Sequence, residues 1–337
     1  MIHTIWFIVL AFMLAGYAVL DGFDLGVGAL HLLLGRDRDE RARLIDAIGP
    51  VWNGNEVWLL AAGGSLVAAF PHVYATAFSG FYLALMLVLW LLLARGLGIE
   101  FRHQIRHPMW HDLWDVAFSI SSLLLALLFG VALGNVLRGV PFEPGGEFRG
   151  TFAVLLNPFA LLGGVLSVAT LALHGASWIA VKTEGTLQTR ARVFGAALWW
   201  ASLVLLGAMV LASFVVRPQF TRNFVAHPWL VALPVATIAA AFTRRAARVR
   251  GNDRRAFAAS ASYIAGILAS VAAGLYPMLL PARAGGAFAG LDIYNAAAPP
   301  GSLRTALTVY LIGMAIVGVY QVNMYRIWRG KAGSVYH

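Results

Sequence analysis

Long apolar runs, separated by short charged or Pro/Gly-rich breaks, recur along the whole chain. Several runs exceed the ~20 residues that an α-helix needs to cross a hydrocarbon core of about 30 Å, so they predict transmembrane helices. Only Pro71 and His72 separate the second run from the third, which leaves one long kinked helix as the alternative there. Nine helices are predicted, over residues 5–34, 54–70, 72–94, 112–136, 151–180, 195–216, 227–243, 256–280 and 303–327.

These spans predict an all-α polytopic membrane protein that forms a single transmembrane domain over residues 1–337. The chain contains four spans, then a basic loop, then four more spans and a last helix. This order predicts two four-helix bundles plus a peripheral helix. The connection from 281 to 302 is rich in Gly, Ala and Pro and lacks periodicity, so we expect an irregular surface loop.

Composition supports the membrane class. The chain has 337 residues, of which 60% are hydrophobic and 12% charged, and a soluble fold of this size could not bury that much apolar surface. The absence of cysteine excludes disulfides and thiolate-ligated metal or iron–sulfur centres. The first span lacks a basic leader and a small-residue cleavage site, so it is predicted to be an uncleaved helix rather than a signal peptide.

The net charge of +10 would be compatible with nucleic acid, but the basic residues lie in short loops between apolar spans, which is a topological pattern. We therefore expect no nucleic-acid partner. Nineteen of the 25 lysines and arginines lie in the odd-numbered loops and the C-terminal tail, and six in the even-numbered loops. The positive-inside rule then predicts a periplasmic N-terminus and a cytoplasmic C-terminus.

Carboxylates occur where they are energetically costly. Asp21 and Asp24 lie three residues apart in the first span and share a helical face, at a cost of ~2.5–3.5 kcal/mol each on insertion scales. The second span begins with Asn53, Asn55 and Glu56 at the same depth. Two interpretations stay open: a proton-conducting entrance, or polar contacts that only hold the two helices together.

Other polar residues near the predicted cytoplasmic side could extend this group, namely Asp112, Asp115 and His174. His31 and His174 are the two histidines inside predicted spans, and neither has a convincing set of ligand partners. For His31, His174 and Asp112 a structural role is favoured. We expect no haem and no metal ion to be held by this chain alone.

Glycine pairs predict close helix contacts. Gly22 and Gly26, and separately Gly130 and Gly134, form small-xxx-small patterns that let two transmembrane backbones approach. Gly26 and Gly28 resemble the start of a dinucleotide-binding motif, but no strand precedes them. Nucleotide binding is therefore excluded.

Five segments of the chain form a distinctive set of motifs. They are DGFDLGVG at 21–28, WNGNEVWL at 52–59, AFSGFYLA at 77–84, GNVLRGVPF at 134–142 and LLNPFALLGGV at 155–165. Together these segments resemble subunit II of cytochrome bd-type ubiquinol oxidases. They occur in the family's order and lie within residues 21–165, while the rest of the chain is similar only in length and in its pattern of spans.

The resemblance implies a haem-free subunit of a terminal respiratory oxidase in the bacterial inner membrane. Its expected partner is subunit I, which carries the b- and d-type haems, oxidises quinol and reduces O2 to water with protons from the cytoplasm. No catalytic residue is expected in this chain. In some members subunit II holds a structural quinone, and the sequence leaves open such a quinone, a small single-helix subunit and the choice of ubiquinol or menaquinol.

Carried over residue by residue, the resemblance makes Asp21 and Asp24 the family's acidic pair on the proton pathway and Trp58 the tryptophan beside an oxygen tunnel. Asn53 departs from the family, whose members carry Asp there, and an amide cannot release a proton. We hypothesise that Glu56, one turn further on, replaces that carboxylate. The alternatives are a proton- or sodium-coupled secondary transporter, and a subunit that serves only as scaffold.

Overall fold

The computed structural model describes residues 1–142, 148–283 and 288–332. Within these ranges the chain is helical apart from one short hairpin and its connections. Two 3₁₀ turns, Pro218–Thr221 and Pro228–Val231, each lie directly before an α-helix. The elements are α1 Ile2–Leu34, α2 Arg38–Asp46, α3 Trp52–Ala69, α4 Pro71–Gly80, α5 Tyr82–Phe101, α6 Pro108–Arg138, α7 Phe152–Leu155, α8 Pro158–Lys182, α9 Gly185–Val216, α10 Arg222–Ala226, α11 Ala232–Val249, α12 Asp253–Leu275, β1 Met278–Pro281, β2 Gly290–Asp292 and α13 Pro300–Ile327.

Every predicted span corresponds to a helix, and the chain is a polytopic helical membrane protein. Eight of the described helices are long and apolar enough to cross a bilayer: α1, α5, α6, α8, α9, α11 with its preceding turn, α12 and α13. The second predicted span is α3, an 18-residue helix whose first turn carries Asn53, Asn55 and Glu56. The third predicted span is divided into α4 and α5, because the helix is interrupted at Phe81.

The helices pack in two groups of four. The first group contains α1, α3, α5 and α6, and the second contains α8, α9, α11 and α12. The two groups join along α1, α6 and α8, while α13 packs beside α3 and α1 at the edge. This is the predicted architecture of two four-helix bundles with a peripheral helix.

Glycines permit the close contact between the two groups. A Cβ atom at Gly26 would lie 1.9 Å from the carbonyl oxygen of Leu171, and one at Gly175 would lie 2.3 Å from the carbonyl carbon of Gly26. The α6–α8 contact is similar, since a Cβ at Gly130 would lie 2.4 Å from the carbonyl oxygen of Gly163. Gly134 and Gly22 likewise face α8, so both predicted glycine pairs lie at helix–helix contacts.

The predicted surface loop over 281–302 is partly wrong. Residues 284–287 lie outside the described residues, but β1 and β2 on either side of them form an antiparallel pair. Pro277 stops helix α12 from continuing to residue 280, and pairing then satisfies backbone groups that the helix no longer does.

Two boundaries differ in ways that affect the site. Helix α5 continues to Phe101 rather than ending at residue 94, so Arg95 lies inside a helix and not in a loop. The first loop contains the helix α2, which begins where the Asp37 side chain accepts a hydrogen bond from the Glu40 backbone N–H. Removing Arg95 from the loop count leaves the bias of basic residues intact.

Basic residues gather at one end of the bundle, which we call the arginine-rich end. Arg41 and Arg102 both contact Asp115 there, and the neighbouring acid Glu40 contacts Arg190 on α9. Further contacts at this end join α9 to α12 through Arg192 and Asp253, and α11 to α9 through Arg248.

Candidate functional site

Asp21 is paired with an arginine from another helix. The Arg95 guanidinium donates two hydrogen bonds to this carboxylate, Nη1 to Oδ2 at 2.8 Å and Nη2 to Oδ1 at 2.7 Å. Both side chains are fully buried. A two-pronged contact of this kind fixes both partners and compensates the burial of each charge. Asp21 is therefore held in place as one half of an ion pair between α1 and α5.

Glu56 approaches the same arginine from α3. Its Oε2 lies 3.5 Å from Arg95 Nη2, and its side chain keeps 24% of its surface exposed. One guanidinium thus faces two carboxylates, and Glu56 is the member of the group that reaches the surface of this chain.

Asp24 has a different environment, made of neutral groups. Asn55 Nδ2 donates to Asp24 Oδ2 at 2.8 Å, and Asn55 Oδ1 accepts from Gln321 Nε2 at 3.0 Å and from the Tyr325 hydroxyl at 2.9 Å. Asp24 is fully buried, and its other oxygen, Oδ1, has no hydrogen-bond partner among the described residues. We call Asp21, Asp24, Asn55, Glu56 and Arg95 the carboxylate cluster.

Asn53 does not join this cluster. Its side chain is exposed, whereas that of Asn55 is buried against Asp24. Residues two positions apart in an α-helix point in directions that differ by about 200°, so Asn53 and Asn55 cannot both face α1. Asn53 therefore does not contact the aspartates, and its place on a proton pathway stays a prediction.

Asp115 is the centre of a second buried group, which we call the Asp115 cluster. Its carboxylate contacts His31 Nε2 at 2.8 Å, Arg102 Nε at 2.6 Å and Arg41 Nη1 at 3.4 Å. Asp112, by contrast, is more than half exposed and lies 3.6 Å from Arg41. Asp115 therefore has its own partners at the arginine-rich end and makes no direct contact with the carboxylate cluster.

His174 lies apart from both clusters. Its Nδ1 is 2.7 Å from the Ser260 hydroxyl and its Nε2 is 3.0 Å from the backbone oxygen of Val19, while its ring stacks on Phe257 at 4.7 Å. Both ring nitrogens are thus occupied in joining α8, α12 and α1. This arrangement fits the structural role that the sequence favoured.

The two histidines inside the predicted spans both have protein partners. His174 has both nitrogens engaged, and the Nε2 of His31 is bound to Asp115. Within residues 1–142, 148–283 and 288–332, no group of three or more His, Asp or Glu side chains is placed to hold a metal ion.

Trp58 is buried in an apolar cluster with Met13, Tyr17 and Ala62. It covers Gly16 of α1, where a Cβ atom would lie 2.3 Å from the indole ring, and its ring meets Phe12 edge-on at 5.8 Å. These contacts pack α3 against α1. The role beside an oxygen path that the sequence resemblance implies stays a prediction.

The sequence matches the family described as cytochrome bd terminal oxidase subunit II over residues 2–328. The chain belongs to this family.

Individual relatives agree with this assignment. A Haemophilus influenzae protein named "Probable cytochrome oxidase subunit 2" is 36% identical over 312 residues, which cover 83% of this chain and 82% of the relative. The Bacillus subtilis cytochrome bd ubiquinol oxidase subunit 2 is 31% identical over 332 residues, or 98% of this chain and 96% of that protein. This chain also resembles a chain in the structure of bd oxidase from Geobacillus thermodenitrificans, with a TM-score of 0.78 and 17% sequence identity. The match covers 97% of this chain and 98% of that chain, so the two share the same fold.

As a subunit II, the chain is part of a terminal respiratory oxidase and is a multi-pass protein of the bacterial inner membrane. The family name implies a subunit I as partner. The family match gives no support to the secondary-transporter alternative.

The sequence of this subunit II did not reveal several residues that contact the aspartates or Asn55. Arg95 was counted as a loop residue because it ends an apolar run, and Gln321 and Tyr325 lie more than 260 residues from Asn55. One signal was available for Arg95: a buried acid pair in a membrane requires a cation or a proton, and Arg95 directly follows the predicted span over 72–94.

Proposed function

We propose that this subunit II supports a haem-bearing subunit I and contributes to proton uptake through its carboxylate cluster. The observation that carries the proposal is the contrast between two neighbouring acids. Asp21 is paired on both oxygens with Arg95, whereas Asp24 is fully buried beside neutral groups with one oxygen lacking a partner among the described residues.

The charge balance of the cluster favours binding of a proton. Asp21, Asp24 and Glu56 supply three carboxylates, and among the contacts of the described residues Arg95 is the cation that reaches them. With every acid ionised, the cluster would carry two uncompensated negative charges in a medium where each costs ~2.5–3.5 kcal/mol. Binding a proton removes one of these charges, and releasing it to the partner subunit restores the original state.

The geometry suggests a division of roles. The Asp21–Arg95 ion pair holds a fixed charge and positions the helices, because two hydrogen bonds join the guanidinium to both oxygens of the carboxylate. Asp24 and Glu56 are the groups that exchange protons. Glu56 is partly exposed and lies next to Arg95, which supports the hypothesis that it supplies the carboxylate that Asn53 lacks.

The direction of uptake rests on the topology predicted by the basic loops. The arginine-rich end carries most of the loop cations, so we place it at the cytoplasmic surface. Asp24 lies ten residues before the end of α1, which is about 15 Å of helix from that surface.

The test uses the assembled oxidase with Asp24→Asn and, separately, Glu56→Gln. We expect each variant to lower quinol-driven O2 consumption by at least about tenfold, because a proton donor has been removed, while haem content per protein stays at the wild-type level. Glu100→Gln is the matched control, since Glu100 is an exposed carboxylate on the same helix as Arg95. We expect its turnover to be unchanged.

Two results would contradict the proposal. Wild-type turnover and membrane-potential generation in both variants would exclude a role for the cluster in proton uptake. Loss of turnover in proportion to loss of haem would instead assign the cluster to assembly, which is the scaffold alternative.

A further inference from the structure

One face of α1 carries a line of polar sites from the carboxylate cluster to the Asp115 cluster. Asp24, Gly28 and His31 are four and three residues apart, so they lie within about 60° of one another around the helix axis. The distance along the axis from Asp24 to His31 is about 10 Å. Gly22 and Gly26 lie on the opposite face, against α8, so this polar line is separate from the helix–helix contact made by those glycines.

Ser122 of α6 lies between the two clusters. Its Oγ is 2.1 Å from the position that a Cβ atom on Gly28 would occupy, so the hydroxyl packs directly against Gly28, midway along the line. Ser122 is fully buried, and its hydroxyl has no hydrogen-bond partner among the described residues. Its neighbour Ser121 behaves as serines in helices usually do and donates to the Ala117 backbone oxygen at 2.6 Å.

At each end of the line, another buried polar atom lacks a hydrogen-bond partner among the described residues. His31 is fully buried, with Nε2 bound to Asp115 and Nδ1 without a partner among the described residues. Asp24 Oδ1 is the corresponding atom at the other end. Buried polar atoms are nearly always hydrogen-bonded, and water is the usual partner where protein supplies none. Three such atoms lie along facing helices, and we call this line of buried polar atoms the seam.

The seam also reaches the surface. Asp115 contacts Arg41, and Arg41 contacts Asp112, whose side chain is more than half exposed at the arginine-rich end. Contacts join the surface to His31, and Ser122 and Asp24 lie further along the same line; both α1 and α6 contribute to it, since Asp115 and Ser122 are seven residues apart on one face of α6.

We propose that His31 and Ser122 form a proton relay that connects the surface at the arginine-rich end to Asp24. In this relay a proton that arrives on Asp115 is passed to His31 Nε2 while Nδ1 releases its own, and rotation of the imidazole ring then restores the starting tautomer. The Ser122 hydroxyl, with water, accepts the released proton and donates its own toward Asp24 Oδ1, so that His31 and Ser122 end with the protons they began with and Asp24 gains one. The inference rests on the proposed function, because it requires Asp24 to exchange protons.

The surroundings of His31 fit a relay rather than a stored charge. Asp115 is its acidic neighbour, and Arg102 and Arg41 contact the same carboxylate, so the negative charge of Asp115 is already compensated. Phe118 packs edge-on against the imidazole at 5.2 Å. A neutral imidazole that passes protons between its two nitrogens suits this site.

The test compares Ser122→Ala with Ser121→Ala in the assembled oxidase. We expect Ser122→Ala to slow turnover about fivefold, the effect of losing one hydrogen bond in the relay, with unchanged haem content. The ratio of turnover in H2O to that in D2O should rise in the same variant, because proton transfer then limits the rate. Ser121→Ala should alter neither quantity. His31→Gln serves as a second variant, since it can keep the contact with Asp115 but has no second ring nitrogen, and it should match Ser122→Ala.

The outcomes separate the relay from the proposed function. If Ser122→Ala and His31→Gln both showed the same turnover and isotope ratio as Ser121→Ala, the relay would be overturned. If Asp24→Asn still slowed turnover in that case, the cluster would keep its proposed role and protons would reach it by another route. Wild-type behaviour in all these variants would overturn both proposals.

Discussion

The two groups of helices bury polar side chains in different ways. In the first group, Asp21 and Arg95 form an ion pair, and Asp24 beside them has an oxygen without a protein partner among the described residues. In the second group, His174 and Arg244 are also buried, but their nitrogens bind the neutral oxygens of Ser260, Val19, Ser177 and Gly195. Burial of a polar group in this fold is thus no sign of function by itself. The difference lies in the charges: the first group buries the carboxylates Asp21 and Asp24 side by side, whereas the second buries His174 and Arg244 against neutral oxygens.

The largest effect is expected at Arg95, on which the first group depends. Arg95→Gln leaves Asp21 as a buried, uncompensated carboxylate, which should destabilise the subunit by about 3–5 kcal/mol and lower the yield of assembled oxidase. Haem absorbance per milligram of membrane protein measures that yield. The double variant Asp21→Asn with Arg95→Gln removes both charges and should recover most of the loss. Equal yields for the single and double variants would show that the ion pair does not hold these helices together.

A smaller effect is expected in the second group. His174→Ala removes two hydrogen bonds and a stacked ring, so the thermal midpoint of the purified complex should fall, corresponding to about 1–3 kcal/mol. Turnover per haem should stay the same, because we assign His174 a structural role. If His174→Ala slowed turnover without lowering stability, the contrast between the two groups would be wrong.

The smallest effect concerns the arginine-rich end. The Arg190 guanidinium donates to Glu40 and lowers the pKa of that carboxyl from 4.5 to about 2. Because the folded-state pKa lies below the unfolded value, the contact stabilises the fold above pH 4.5 and is progressively lost as the pH falls towards 2. Glu40→Gln should therefore lower the thermal midpoint at pH 7, by the equivalent of about 1 kcal/mol, and the difference from wild type should shrink below pH 4.5.

Asp39→Asn provides the control for this pH dependence, since Asp39 is exposed on the same short helix. Its midpoint should follow that of the wild type across the whole pH range. A difference between Glu40→Gln and wild type that stays constant down to pH 3 would mean that the contact with Arg190 does not govern the titration of Glu40.

The spans and the acidic residues were predictable from local patterns. A carboxylate stands out in an apolar run because it is costly there, so Asp21, Asp24 and Glu56 could be found by inspection of the chain. The positions of the long spans and the packing of the glycine faces followed from run length and spacing. These features need information from within a single helix only.

The partners were not predictable in the same way. An arginine at the end of an apolar run has the same local pattern whether it faces lipid headgroups or a buried acid, so Arg95 was assigned to a loop. The contacts of Asn55 with Gln321 and Tyr325 depend on where α13 packs, which no local pattern specifies. Which of two acids is paired, and which is free to exchange protons, is therefore a property of the packed structure.

The most direct test of the account is proton uptake by the reduced oxidase on reaction with O2, followed with a pH-indicator dye in the wild type and in Asp24→Asn. We predict that O2 binding to the partner subunit keeps its wild-type rate while proton uptake in the variant slows at least about tenfold. Wild-type uptake kinetics in Asp24→Asn would contradict the claim that Asp24, rather than its paired neighbour Asp21, carries protons in this subunit.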